Sequence, residues 1–227
     1  MTPKPLFRVL FYLIILFPVG FVIFFLSRSV YRAQLLGKVI ERLEADSRIA
    51  EAIVTKTELD EKAKRVFTTI KFLEYSVDGK PLSPRYFTFS GNIIHFQALV
   101  IRFKDKLVEG GDKLKGKSAY IFLKAFVLNG TEAQIFPITN VYEIPRGYKI
   151  EGALDPYEAS LWKEFWNYVL DPEKRKPEGI KNAQIEAPGS LFLPGTLYTL
   201  RIEHDGGIRI DTEPIPAILR GEKVPQP

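Results

Sequence analysis

Hydrophobic positions along the chain fall into three regimes, and the first is continuous. From Val9 to Leu26 eighteen residues pass without a charge, between Lys4 and Arg8 on one side and Arg28 and Arg32 on the other. As a helix rising 1.5 Å per residue this run covers about 27 Å, close to the hydrocarbon thickness of a bilayer. Pro18 and Gly20 weaken a soluble helix but are tolerated in lipid. The reading is a single-pass transmembrane anchor within residues 1–27, with Val9, Leu10, Leu13, Ile15, Phe17, Val22, Phe25 and Leu26 among its apolar residues. A cleavable signal peptide needs a shorter apolar region and small residues before the cut, and Tyr31 stands where a cut after Ala33 requires a small one. The short basic tail is that of a signal-anchor. It favours an inner (cytoplasmic) membrane location with the C-terminal domain periplasmic or otherwise extracytoplasmic, although the flanking basic residues are nearly balanced.

In the second regime Leu35, Leu36, Val39, Ile40 and Leu43 recur at helical spacing, with Lys38, Glu41, Arg42 and Glu44 opposite. Residues 28–49 therefore read as a membrane-proximal helical stalk. Asp46 falls where the next heptad core residue belongs, so the pattern is too short for a sustained coiled coil.

Beyond about residue 50 the period changes to that of strands, broken every ten residues or so by turn chemistry. Ile53–Thr57 and Val66–Ser76 form an expected first pair, and Asp78-Gly79 supplies the positive φ angles of a tight turn. Tyr86–Phe89 and Ile93–Phe103 flank Ser90-Gly91-Asn92. Then follow Ser118–Leu128, Gln134–Ile138, Asn140–Ile144 and, around Asp205-Gly206, Thr196–His204 with Gly207–Asp211. Short loops and the lack of crossover helices predict a mainly β domain over residues 50–211, an antiparallel sandwich or barrel with one inserted amphipathic helix. Residues 212–227, with Pro214, Pro216, Pro225 and Pro227, read as a Pro-rich tail.

The inserted helix is placed at residues 156–171. Asp155 is its N-cap, Pro156 takes the first helical position, Glu158 completes a capping box, and Asp171-Pro172 ends it. Its apolar residues, Tyr157, Leu161, Trp162, Phe165, Trp166, Tyr168, Val169 and Leu170, spread over roughly 220° of the helix surface, well beyond one core-facing side. Two arrangements account for the excess. The helix lies in a groove between the sheet and the Pro-rich segment 178–194, or Trp162, Trp166 and Leu170 form a partner-binding face.

Composition narrows the chemistry. There is no Cys among 227 residues, which removes disulfides, thiol catalysis and Cys-ligated metals. The net charge of +5 is concentrated near the anchor: residues 1–46 hold six Lys/Arg against three Asp/Glu, and elsewhere the signs alternate, so no basic stripe for nucleic acid is present. The two histidines, His95 and His204, have no ligand-spaced partner, and a metal site of His204, Asp205 and Asp211 competes with the turn role of Asp205. No Gly-x-Ser-x-Gly elbow or phosphate loop occurs. Paired carboxylates of a hydrolase stay open, because distant Asp and Glu residues converge only in the fold.

Residues 107–118, Leu-Val-Glu-Gly-Gly-Asp-Lys-Leu-Lys-Gly-Lys-Ser, resemble the hydrophobe-Gly-Asp-x-Val-x-x-Gly turn in the lipoyl-like domains of periplasmic membrane-fusion proteins. The extra glycine breaks that spacing, the following run is one residue short, and the family's long helical hairpin is missing. The resemblance implies an architectural analogy over twelve residues and no family membership.

These features point to a membrane-anchored β domain that is a non-enzymatic accessory or scaffold subunit of a membrane assembly. It meets the bilayer through its N-terminal helix and a protein partner, or a second copy, through its domain. No catalytic, cofactor or metal residues are assigned. The alternatives are an envelope binding module for a small molecule, glycan or lipid, with Tyr157, Trp162, Tyr168 and Arg201 lining a pocket, and a carboxylate-dependent envelope hydrolase.

Overall fold

The computed structural model describes residues 17–24, 26, 48–62, 64–76, 79–103, 118–130, 132–149, 155–175, 180–203 and 207–216. The chain divides into two compact units, Met1–Ile40 and Glu41–Pro227. In the first, residues 17–24 and 26 are helical, and Phe17, Phe21, Ile23 and Leu26 are all exposed. Val9, Leu10, Leu13, Ile15 and Phe25, together with the expected stalk up to residue 47, lie outside the described residues. Among the described residues no helix is long and apolar enough to cross a membrane.

The second unit is mainly β. Strands β1 (Arg48–Asp60), β2 (Arg65–Glu74), β3 (Arg85–Ser90), β9 (Thr196–Ile202) and β10 (Ile208–Pro214) form one antiparallel sheet in the order β10-β9-β1-β2-β3. The other runs β6-β5-β4-β7, from β4 (Ile93–Phe103), β5 (Ser118–Asn129), β6 (Glu132–Pro137) and β7 (Ile180–Glu186), with the short β8 (Gly189–Leu191) also on β4. Helices α1 (Asp155–Leu170) and α2 (Pro172–Arg175) precede β7. Strand structure thus begins two residues before the expected domain start and runs three residues into the expected tail.

Alternation explains why these segments are strands. On β2, Thr68, Ile70, Phe72 and Glu74 are buried while the residues between them are not. Phe72 packs against Phe96 and Phe122 of the facing sheet, with ring centroids 5.0 and 5.4 Å apart. This aromatic centre joins Ile49, Phe89, Ile94, Tyr198 and Leu200 in one core between the sheets, where such burial contributes about 1.5–3 kcal/mol for each large side chain. Side chains stitch both flanks. On one, Gln134 donates to Thr88 O and Arg85 to Pro137 O and Ile138 O. On the other, Ile208 N donates to the Glu186 carboxylate, and the Tyr198 hydroxyl donates to Leu191 O while accepting from Leu193 N. These bonds occupy main-chain groups that open sheet edges would otherwise offer to another chain.

Gly91, at φ +82°, makes the expected turn, and because β3 and β4 belong to different sheets it carries the chain across the core. Two other expectations are corrected. Asn140–Ile144 is not a strand: the Asn140 side chain bonds Glu143, Glu143 N returns to Asn140 O, and Tyr142 takes φ +71°. The segment expected to drape over the helix instead supplies β7 and β8, because main-chain pairing with β4 satisfies its polar groups.

Candidate functional site

Helix α1 stops at Leu170, within one residue of its expected end. Glu158 is fully buried, and the Asp155 side chain of the expected capping box lies outside the described residues. Trp162 and Trp166, expected at a partner face, are 1% and 0% exposed. The Trp166 indole donates to Glu143 O at 2.9 Å, and Trp162 lies 5.7 Å from the Tyr148 ring. Leu161, Phe165 and Val169 are buried with them. On β4 and β5, Leu99, Ile101, Ala119 and Ile121 alternate with core residues, so they face away from the sandwich core, yet they too are buried. Helix α1, whose own apolar residues are buried and which contacts β7, the neighbour of β4, accounts for their cover. The wide apolar arc is consumed inside the domain, and of the three residues assigned to partner binding only Leu170 is exposed.

The other half of the same face is bare. Strand register sets Gly189, His95, Phe126 and Ile135 in one row across four strands. The adjacent row pairs Leu191 with Ile93 and Leu128 with Ala133. Ile93, Ile135, Leu191 and Leu128 are exposed, Leu128 by 64%. Within the face His95 stacks on Phe126 at 5.0 Å, and the Lys124 ammonium lies 5.9 Å from the Phe126 centroid. Gly189 is required here: a Cβ would fall 2.3 Å from the His95 ring. Sequence reasoning missed this surface. Its only signal was apolar residues at both parities of β4 and β5, which announces two buried faces without saying that a helix covers half of one.

A buried polar cluster occupies one end of the sandwich. Glu74 ends β2 at 7% exposure, and burial pushes its carboxyl up to about 7 although Arg85 and Arg146 both pull it down. Burial also lowers the Arg85 guanidinium from its ordinary value, helped by Arg146. The Tyr120 hydroxyl donates to Tyr75 O and that of Tyr148 to Tyr120 O at 2.5 Å, and burial raises both phenols. Paired-carboxylate hydrolysis needs a second acid beside the first. The charged groups acting on Glu74 are arginines.

Two of the residues considered for a pocket are placed among different elements. Trp162 is buried against Tyr148, while Arg201 stands on β9 in the other sheet, paired with Asp211. The Tyr157 side chain and His204-Asp205 lie outside the described residues, as do residues 104–117, which carry most of the lipoyl-like turn. Among the described residues no group of three His, Asp or Glu is arranged to hold a metal. Comparison with protein-family models, curated proteins and solved structures finds no match to this chain.

Proposed function

We propose that the protein is a single-pass, membrane-anchored β-sandwich domain serving as an accessory or scaffold subunit of a membrane assembly. The bare apolar half of the second sheet's outer face, rather than α1, holds the partner. That surface carries the reading. Four aliphatic side chains about half or more in water would gain about 1 kcal/mol each on being covered. The occupant is a neighbouring membrane subunit with a flat apolar surface and a carboxylate opposite Lys124. A second copy of this chain fits less well, because it would bring Lys124 toward its own counterpart. The uncharged run Val9–Leu26 supports the anchor, which would confine both proteins to two dimensions and let a modest interface suffice. An extracytoplasmic location follows from the signal-anchor reading.

The test is residue-specific photo-crosslinking of the full chain in native membranes. Probes at residues 93, 128 and 135 should reach one integral membrane protein, a probe at residue 58 on the other sheet should not, and the chain should resist alkaline extraction. Release by alkali would refute the anchor. Crosslinks equal at all positions, or lacking at the three, would refute the docking face.

A further inference from the structure

The cluster around Glu74 is built as a closure. A Cβ on Gly147 would lie 3.4 Å from Tyr75 O and 3.7 Å from Glu74 Oε1, so the 3₁₀ turn Arg146–Tyr148 rests directly on the carboxyl. The charged and titratable groups facing it come from every element packed there: Arg85 of β3, Arg146 and Tyr148 of the turn, and Tyr120 of β5. The segment ending in that turn is tied down at intervals. Arg85 holds Pro137 O and Ile138 O at its start, Trp166 holds Glu143 O in its middle, and Tyr148 packs on Trp162 at its end. Whatever lifts the turn therefore disturbs the seat of α1.

We propose that Glu74 is a proton-operated latch on residues 138–148: protonated, it stays beneath the closed turn, and ionised, it draws toward water and lifts the turn away. The direction follows from linkage. Arg85 and Arg146 favour the ionised form, but burial outweighs them, so the closed state holds the proton more tightly than a state in which water reaches the carboxyl. With Glu74 near its ordinary 4.5 when open and about 7 when closed, the open-to-closed ratio rises about 300-fold over the whole titration, about 80-fold of it between those two values, and levels off near pH 8.

Hydrogen exchange of the full chain in detergent micelles tests this. The readouts are the amides of Ile138 and Thr139, bonded to Leu123 O, and of Tyr148, bonded to Pro145 O. Corrected for intrinsic rates, their protection should fall about 80-fold between pH 4.5 and 7 and about twofold more before it levels off near pH 8, while Phe96 N, bonded to Pro188 O in the core, stays better protected. Glu74→Gln should flatten the profile. Arg146→Gln, at an exposed position, should move the levelling-off to higher pH by removing one pull on the ionised form. Protection of the three amides equal to that of Phe96 at every pH would overturn the latch, since the segment would then open only with the whole domain. So would a pH dependence that survives Glu74→Gln, or a levelling-off point that Arg146→Gln leaves unmoved.

Discussion

Replacing Glu74 by Gln keeps the side chain's shape and removes its ionisation, so it isolates what the buried charge does to stability. In acid both folded and unfolded chains hold the proton, and the carboxyl contributes no difference. Between 4.5 and about 7 the unfolded chain ionises while the folded one does not, and the folded state loses about 1.4 kcal/mol per pH unit. Above that window the deficit is constant at about 3 kcal/mol, the linkage equivalent of the whole shift. Opening of the turn caps this deficit, because an ionised Glu74 that reaches water no longer bears the full cost of burial. Glu74→Gln should therefore match the wild type at pH 4.5 and exceed it at pH 8 by up to about 3 kcal/mol. Urea unfolding of both proteins at the two pH values, followed by tryptophan fluorescence, measures the difference directly. A variant less stable than wild type at pH 8, or one whose advantage is equal at both pH values, would refute the argument that burial dominates the two arginines.

Other substitutions test the packing. Gly189→Ala forces the His95 ring off its seat and should cost about 1–3 kcal/mol, with His95→Ala in the same chain restoring part of the loss in thermal melts. Tyr198→Phe removes the hydroxyl that joins Leu191 O and Leu193 N to β9, and calorimetry should show a loss of about 1–3 kcal/mol. Trp166→Ala should cost about 3–5 kcal/mol in denaturant unfolding, whereas a surface tryptophan would be nearly neutral. Leu128→Asp, on the bare face, should change stability by no more than about 0.5 kcal/mol while weakening the proposed crosslinks from residues 93 and 135.

Local chemistry made much of this domain legible. Runs of β-branched and aromatic residues broken by turn chemistry marked β1, β2, β4 and β5, because such side chains fit a pleated, packed surface and the turn residues interrupt it locally. Gly79, at φ +71°, sits in the turn its Asp-Gly dipeptide predicts, closed by Ser76 N donating to Lys80 O. The ends of α1 followed from Pro156 and Pro172, whose fixed φ and missing N–H act within a few residues. Asn140–Ile144 misled because a β-branched Val and a Tyr resemble a strand, while the decisive force was the Asn140–Glu143 hydrogen bonding that folds them into a turn.

The remaining features depend on segments far apart in the chain, which no window of sequence contains. Alternation says that a strand has two faces but not what lies against each. Leu99 and Ile93 look alike in the sequence, yet in the fold the first is buried and the second stands half in water. Trp162 and Trp166 read equally well as core or contact until Glu143 and Tyr148 are brought against them. Glu74 was one carboxylate among 27 acidic residues. What distinguishes it is the later turn at Gly147 that shuts out water, since the cost of burying a charge is set by its surroundings in space rather than by its neighbours in sequence.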